Sequence, residues 1–107
     1  MKEHAAVYFE AAKIFKALAH PARIRLLHRL MENECCVSEA RKCLGISQPN
    51  VSQHLRILKE AGLIAGTRRK TKICYRIADG RIHGILDSIL EGEPGHEEYR
   101  GSDGRNV

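Results

Sequence analysis

The chain has 107 residues, a net charge of +5 and 43% hydrophobic residues, but only 5% aromatic residues and no tryptophan. This length is typical of one domain with a modest aliphatic core, which dimerisation often stabilises. No stretch approaches the roughly 18 to 20 apolar residues of a membrane-spanning helix. Residues 1–20 lack the order of charged, apolar and small residues that marks a signal peptide. We therefore expect a cytoplasmic protein whose cysteines are reduced thiols.

The positive charge is concentrated in the middle of the chain. Residues 41–76 contain nine Lys or Arg residues and one acidic residue, Glu60, so they carry +8 and the rest of the chain carries −3. A nucleic acid that contacts one face of the molecule would account for this asymmetry. The alternative is an ordinary solvated basic surface.

Two helices are predicted in the first third of the chain. Residues 5–19 are rich in helix formers and apolar nearly all round, so this helix must be covered on more than one side, and a second subunit could do so. Pro21 has no amide hydrogen and suits the first turn of a second helix. The buried stripe of that helix is expected to be Ile24, Leu27, Leu30 and Met31.

Two short helices are predicted next. The third ends at Gly45, and its apolar residues recur at helical spacing: Val37, Ala40 and Leu44. The fourth has Ser47 as its N-cap and Pro49 in its first turn, and it ends at Gly62. Its inner stripe is expected to be Val51, Leu55 and Leu58.

A β-hairpin and a last helix complete the predicted elements. From Leu63 the pattern predicts two short strands around a basic turn of residues 67–72. Asp79 is the predicted N-cap of the last helix, whose apolar stripe is Ile82, Ile85, Leu86, Ile89 and Leu90. We expect one folded domain over residues 1–92 and a disordered tail over residues 93–107.

The order of these elements predicts a mainly α fold with a small β-hairpin wing, a winged helix-turn-helix. The apolar stripe of the fourth helix would hold it on the domain, while its short polar side chains approach base edges in the major groove. Gln53 can pair with adenine, and Ser47 with the first-turn amides suits a phosphate. The predicted DNA-binding residues are Ser47, Gln48, Asn50, Ser52, Gln53, Arg56, Arg68, Arg69 and Lys70. The alternative is an ordinary amphipathic helix and a soluble turn, whose polar residues face solvent and do not bind DNA.

Three stretches, FKALAHPARIRLLHRL, ISQPNVSQHLRILKEAGLI and RRKTKICYRI, resemble the bacterial and archaeal ArsR/SmtB family of repressors. The resemblance spans about residues 8–92 and implies a homodimer built on the first and last helices. It also implies an imperfect palindromic operator and repression relieved by an effector. It places Gln48, Ser52 and Gln53 at base-reading positions. Pro49 stands where the family often has serine, so the contact of that serine is not expected here.

The cysteines lie where metal-sensing members of that family carry the motif Glu-Leu-Cys-Val-Cys-Asp-Leu. Residues 34–40 read Glu-Cys-Cys-Val-Ser-Glu-Ala, so Cys36 matches the first motif cysteine and Ser38 replaces the second. Cys43 lies about 10 Å along the helix from Cys36, too far to share one ion through metal–sulfur bonds of about 2.3 Å. We expect Cys35 and Cys36 to converge on a thiophilic inducer such as As(III) or Cd(II).

Other roles for the cysteines stay open. A redox or persulfide response needs two thiols to meet, and because vicinal cysteines rarely bond to each other, a distant partner such as Cys74 is required. Cys43 and Cys74 can instead be small buried hydrophobes, and the cysteines can have no sensing role at all. The family's last-helix metal site, Asp-x-His followed by His-x-x-Glu, is absent, since Arg81, Gly92 and Gly95 replace its ligands.

We therefore predict a dimeric, sequence-specific transcriptional repressor that requires no cofactor and is released from operator DNA by an effector at cysteine thiols. A protein-interaction module is the second class, but the charge of +8 across the reading region argues against it. A thiol enzyme is the third, and no Cys-His-acid group supports it.

Overall fold

The computed structural model describes residues 5–90, which form five α-helices and a three-stranded antiparallel sheet. The elements in chain order are α1 (Ala5–Leu18), α2 (Pro21–Leu30), β1 (Cys35–Cys36), α3 (Val37–Leu44), α4 (Gln48–Glu60), β2 (Ile64–Arg69), β3 (Lys72–Ile77) and α5 (Arg81–Ile89). The predicted winged helix-turn-helix is confirmed. The tail predicted over residues 93–107 and the positions of Gly92 and Gly95 lie outside the described residues. No helix within residues 5–90 has the length and apolar character needed to cross a membrane.

One apolar core joins the five helices to the base of the hairpin. The predicted inner stripe of α4 is fully buried, as are Leu27 of α2 and Leu86 of α5. Each such aliphatic side chain contributes about 1.5–3 kcal/mol through removal from water. The largest fully buried side chains are Leu26, Leu27, Val51, Leu55, Leu58, Leu63, Ile82 and Leu86. Through this core, α4 packs against α2, α3 and β2.

The turn between α3 and α4 depends on a glycine. Gly45 has φ 67°, in the left-handed region, and its amide donates to the carbonyl of Arg41 at 2.8 Å. This closes the C-terminus of α3 as predicted. Ser47 is extended and precedes the first residue of α4, but its hydroxyl caps no backbone amide of the helix.

The hairpin is longer than the sequence predicted. β2 and β3 pair from Ile64 opposite Ile77 to Arg69 opposite Lys72. The turn is therefore residues 70–71, with Lys70 at φ 60°, and the predicted turn of residues 67–72 was too long. The residues added to the strands are mostly charged and solvent-exposed, so they show no alternation of apolar and polar positions. Their backbone pairing does not depend on that alternation.

Strand β1 was not predicted from the sequence. This strand has two residues and pairs antiparallel with β3, Cys35 opposite Tyr75 and Cys36 opposite Cys74, which gives the sheet order β1-β3-β2. Two residues are too few to display a period of two, so the pattern could not be recognised.

Helices α1 and α5 leave apolar side chains on the surface. Phe9 is 75% exposed and Ile89 is 65% exposed, although Ile89 was expected in the buried stripe of the last helix. Val7, Tyr8 and Phe15 on α1 are also exposed. We call these five residues the α1–α5 apolar surface. Their exposure agrees with the expectation that the first helix needs cover on more than one side.

The last helix begins at Arg81, one residue later than an N-cap at Asp79 predicts. Asp79 precedes α5, and its Oδ1 accepts a hydrogen bond from the amide of Arg81 at 3.0 Å. Its carboxylate also binds the Arg81 guanidinium, with Nη2 to Oδ2 at 2.7 Å. Asp79 therefore accepts a hydrogen bond from the first turn of the helix, as expected of a capping residue, although Gly80 lies between it and the helix.

Candidate DNA-binding surface and cysteine pair

The outer face of α4 carries the predicted base-reading side chains. Burial of the apolar stripe turns the opposite face of the helix to solvent. The six predicted residues of this region are all exposed: Ser47, Gln48, Asn50, Ser52, Gln53 and Arg56. Short polar side chains on an exposed helix are suited to the major groove of DNA. Contact of these residues with DNA stays a prediction.

The hairpin extends the basic surface beyond α4. Arg68, Arg69 and Lys70 are exposed at the end of β2 and in the turn, as predicted. Arg76 on β3 donates from Nη1 to the hydroxyl of Thr67 at 2.9 Å, which links the two strands below the tip. The end of the hairpin therefore holds a cluster of positive charge in a paired two-stranded element.

Arg69 has a partner within the protein that no pattern in the sequence indicated. Its Nε donates to Oε1 of Glu34 at 3.0 Å, and its Nη2 donates to Oε2 at 3.2 Å. The two residues are 35 positions apart, and Glu34 directly precedes β1. Since the sheet brings them together, no local sequence signal could have revealed this ion pair.

A cleft of about 470 Å³ lies beside the first half of α4. Asn50 and Gln53 line it, together with His20 and His54, whose ring centroids are 4.5 Å apart. Arg23 donates from Nη1 to Nδ1 of His54 at 3.2 Å. Burial lowers the pKa of His54, and the charges of His20 and Arg23 lower it further.

The structure joins Cys36 to Cys74 in a disulfide bond. The expectation of reduced thiols throughout is therefore wrong for this pair. The two residues lie directly opposite each other on β1 and β3, 38 positions apart in the chain. Cys74 is the distant partner that the redox alternative required, and the pairing of the strands supplies the proximity that spacing along the chain could not.

The expectation that Cys35 and Cys36 converge on one inducer is wrong, because their side chains point in different directions. Successive side chains of a strand point to opposite faces, so Cys35 enters the core, where it is 2% exposed. Burial raises the pKa of its thiol to about 11, against the opposing effect of Arg29. A thiol that is buried and protonated at neutral pH is a poor nucleophile and a poor metal ligand.

Cys43 is half-buried in a second cleft of about 480 Å³ between α2 and α3. Burial raises the pKa of its thiol, and the nearby Arg25 and Arg29 oppose that rise. Cys43 also contributes to the raised pKa of Cys35, so the two free thiols are close enough to interact electrostatically. Within residues 5–90, no group of three or more His, Cys, Asp or Glu side chains is arranged to hold a metal ion.

Comparison with known proteins agrees with this architecture. Residues 20–65 match the family model described as bacterial regulatory protein, arsR family. The HTH-type transcriptional repressor SmtB of Mycobacterium tuberculosis is 42% identical over 80 residues, which are 74% of this chain and 59% of that protein. The biofilm growth-associated repressor of Xylella fastidiosa is 34% identical over 80 residues, 75% of this chain and 70% of that protein. The chain belongs to the ArsR family.

A solved structure with a similar fold is 28% identical to this chain. It is the solution structure of a homodimeric winged helix-turn-helix DNA-binding domain of Mycobacterium bovis, described as a possible ArsR-family transcriptional regulator. It aligns with a TM-score of 0.77 and 28% identity, covering 84% of this chain and 83% of that one. ArsR-family proteins are DNA-binding transcriptional regulators and not enzymes, which agrees with the prediction that this chain is not an enzyme.

Acidification should destabilise the fold through His54. Because its folded pKa lies below the ordinary value of 6.5, the unfolded chain takes up the proton first. The stability associated with His54 is therefore present above the unfolded pKa and is lost as the pH falls through the folded pKa. Urea unfolding between about pH 7.5 and pH 5.5 should show a smaller loss of stability for His54→Gln than for the wild type.

The control for this measurement is His83→Gln, which makes the same substitution at an exposed histidine of α5. Equal losses of stability in His54→Gln and the wild type would contradict the assignment.

Proposed function

We propose that this protein is a homodimeric transcriptional repressor that binds double-stranded operator DNA through α4 and the hairpin. One observation carries the proposal: the core buries the apolar face of α4 and leaves its polar face exposed, next to the basic hairpin. In a winged helix-turn-helix with this arrangement, the helix equivalent to α4 enters the major groove of DNA. Basic residues of the hairpin bind the flanking backbone or minor groove. The M. tuberculosis and X. fastidiosa relatives, both described as repressors, support the same activity.

A second subunit is proposed to cover the α1–α5 apolar surface. Removal of Phe9, Phe15 and Ile89 from water would stabilise an association between identical helices. The homodimeric M. bovis domain supports this assembly. A two-fold symmetric dimer presents two copies of α4, so its operator would be an imperfect palindrome whose half-sites lie about one helical turn apart.

The effector is proposed to act on cysteine thiols, with Cys36 and Cys74 as the reactive pair. Two chemistries suit neighbouring thiolates: coordination of a thiophilic ion such as As(III) or Cd(II), and oxidation to a disulfide by a small oxidant or persulfide. The Cys36–Cys74 bond favours the second. Cys35 is a structural core residue in this proposal because it is buried.

Substitutions on α4 and on the hairpin should affect DNA binding differently. Gln53→Ala should relax the preference for one or two base pairs, costing about 1–3 kcal/mol on the preferred sequence. Arg68→Ala should weaken binding to all sequences alike and lower the salt dependence by about one counterion. Selection from a random duplex library, followed by affinity measurements at several salt concentrations, checks both effects.

Sequence preference unchanged in Gln53→Ala would mean that α4 is not the reading helix. An absence of salt-sensitive DNA binding by the wild type would instead favour a protein-interaction module.

The dimer can be tested at the α1–α5 apolar surface. Phe9→Glu should raise the dissociation constant of the dimer at least about tenfold, since it places a charge in an apolar contact. Sedimentation velocity over a range of concentrations measures this change. Thr71→Glu is the matched control, because it also adds one negative charge, at an exposed position of the hairpin turn. Equal dimerisation by Phe9→Glu and the wild type would place the interface elsewhere.

Release from DNA tests the thiol proposal. Reduced, DNA-bound protein is challenged separately with arsenite, cadmium, zinc, a low-molecular-weight disulfide and a persulfide. We expect the disulfide reagent to lower the DNA affinity of the wild type and of Cys35→Ser, whereas Cys36→Ser and Cys74→Ser keep the affinity of their reduced forms. A loss of affinity with arsenite or cadmium alone would identify the pair as an ion site, and an affinity unchanged by every reagent would contradict thiol sensing while leaving DNA binding intact.

A further inference from the structure

We propose that the Cys36–Cys74 pair controls a competition between the Glu34 carboxylate and DNA phosphate for the guanidinium of Arg69. In the disulfide form, Glu34 holds Arg69 and weakens the hairpin as a DNA contact; in the dithiol form, Arg69 is released to phosphate. The inference rests on the proposed function, because the phosphate belongs to the DNA duplex and the switch is the proposed thiol pair. It adds a residue, Glu34, that neither the fold nor the predicted DNA-binding surface requires.

The contact between Glu34 and Arg69 resembles the contact that DNA would make. Nε and Nη2 of Arg69 bind the two carboxylate oxygens of Glu34 in parallel, at 3.0 Å and 3.2 Å. A phosphate group accepts the same pair of donors with the same two-oxygen geometry. The two acceptors therefore exclude each other at this edge of the guanidinium.

The disulfide bond lies between the two residues in the sheet. Glu34 directly precedes β1, and Cys36 at the other end of that strand is bonded to Cys74 on β3. β3 is the central strand and pairs in turn with β2, whose last residue is Arg69. The covalent bond thus connects the short strand that carries Glu34 to the hairpin that carries Arg69.

Loss of the bond should loosen β1 more than any other strand. β1 has only two paired residues at the edge of the sheet, whereas β2 and β3 share six paired positions. A two-residue edge pairing contributes little stability alone, so after reduction Glu34 is held near Arg69 less of the time. The hairpin keeps its own pairing and continues to present Arg69.

The chemistry is a reversible two-electron exchange with a low-molecular-weight disulfide. The thiolate of Cys36, the more exposed of the two, attacks one sulfur of the reagent, forms a mixed disulfide and releases one small thiolate. The thiolate of Cys74 then attacks the Cys36 sulfur and releases the second small thiolate. Two protein thiols are oxidised, one small disulfide is reduced to two thiols, and the two protons pass to solvent or to the released thiolates.

The expected effect is modest, because the ion pair is partly solvated. The side chains of Arg69 and Glu34 are 58% and 39% exposed. Exposed pairs make small contributions, so the disulfide form should bind DNA about two- to fivefold more weakly than the dithiol form. Since the contact is to phosphate, the difference should be independent of sequence and should shrink at high salt.

The experiment measures fluorescence anisotropy of a labelled mixed-sequence duplex at low salt, with the full chain reduced by a phosphine or oxidised by a low-molecular-weight disulfide. The oxidised wild type should bind about two- to fivefold more weakly than the reduced wild type. Glu34→Gln should bind with the affinity of the reduced wild type in both states. Glu60→Gln is the matched control: it removes an exposed acid from the end of α4 and should keep the redox difference.

The cysteine variants separate this effect from a loss of folding. Cys36→Ser and Cys74→Ser should each bind like the reduced wild type after oxidant treatment, and circular dichroism establishes that each is folded. If the variant of the buried Cys74 is unstable, the test can be made with Cys36→Ser alone, because Cys36 is only half-buried.

A redox difference that persists in Glu34→Gln would overturn the inference alone, whereas equal affinities of the oxidised and reduced wild type would overturn it together with the proposed oxidation of the thiol pair. An absence of duplex binding in both states would overturn the proposed DNA-binding function, and this inference with it.

Discussion

The burial of one face of α4 is the constraint on which the rest of the candidate DNA-binding surface depends. Val51, Leu55 and Leu58 are removed from water by contacts with the other helices and the base of the hairpin. Rotation of α4 about its axis would expose these side chains, at a cost of about 1.5–3 kcal/mol for each. The core therefore determines which polar residues face outward, although none of the core residues would contact DNA.

The small sheet connects the basic hairpin to the start of α3. Its central strand, β3, pairs on one side with the basic strand β2 and on the other with β1 at the start of α3. A change in the pairing of β1 with β3 would therefore alter the structure beside the hairpin and at the start of α3, which packs against α4. The Cys36–Cys74 bond and the Glu34–Arg69 ion pair both lie along this connection.

The sequence predicted most of the helical fold because its signals are local. Gly45 and Pro49 mark the turn and the start of α4, and the apolar stripe of that helix repeats at helical spacing. The strands were predicted less well. β1 is too short to show a pattern, and the charged ends of β2 and β3 resembled a turn because exposed strand residues need not alternate. Ile89 was expected in the core, since the sequence does not distinguish an apolar residue that packs within the domain from one on its surface.

By itself, the sequence determined that this is a winged helix-turn-helix and which exposed residues of α4 and the hairpin are candidates to read DNA, because periodicity and capping are properties of neighbouring residues. Only the tertiary structure decided how the cysteines are grouped. Adjacent Cys35 and Cys36 point to opposite faces of β1, while Cys36 meets Cys74 across 38 positions and Glu34 meets Arg69 across 35. Strand pairing creates these contacts, and they cannot be predicted from the spacing of the residues along the chain.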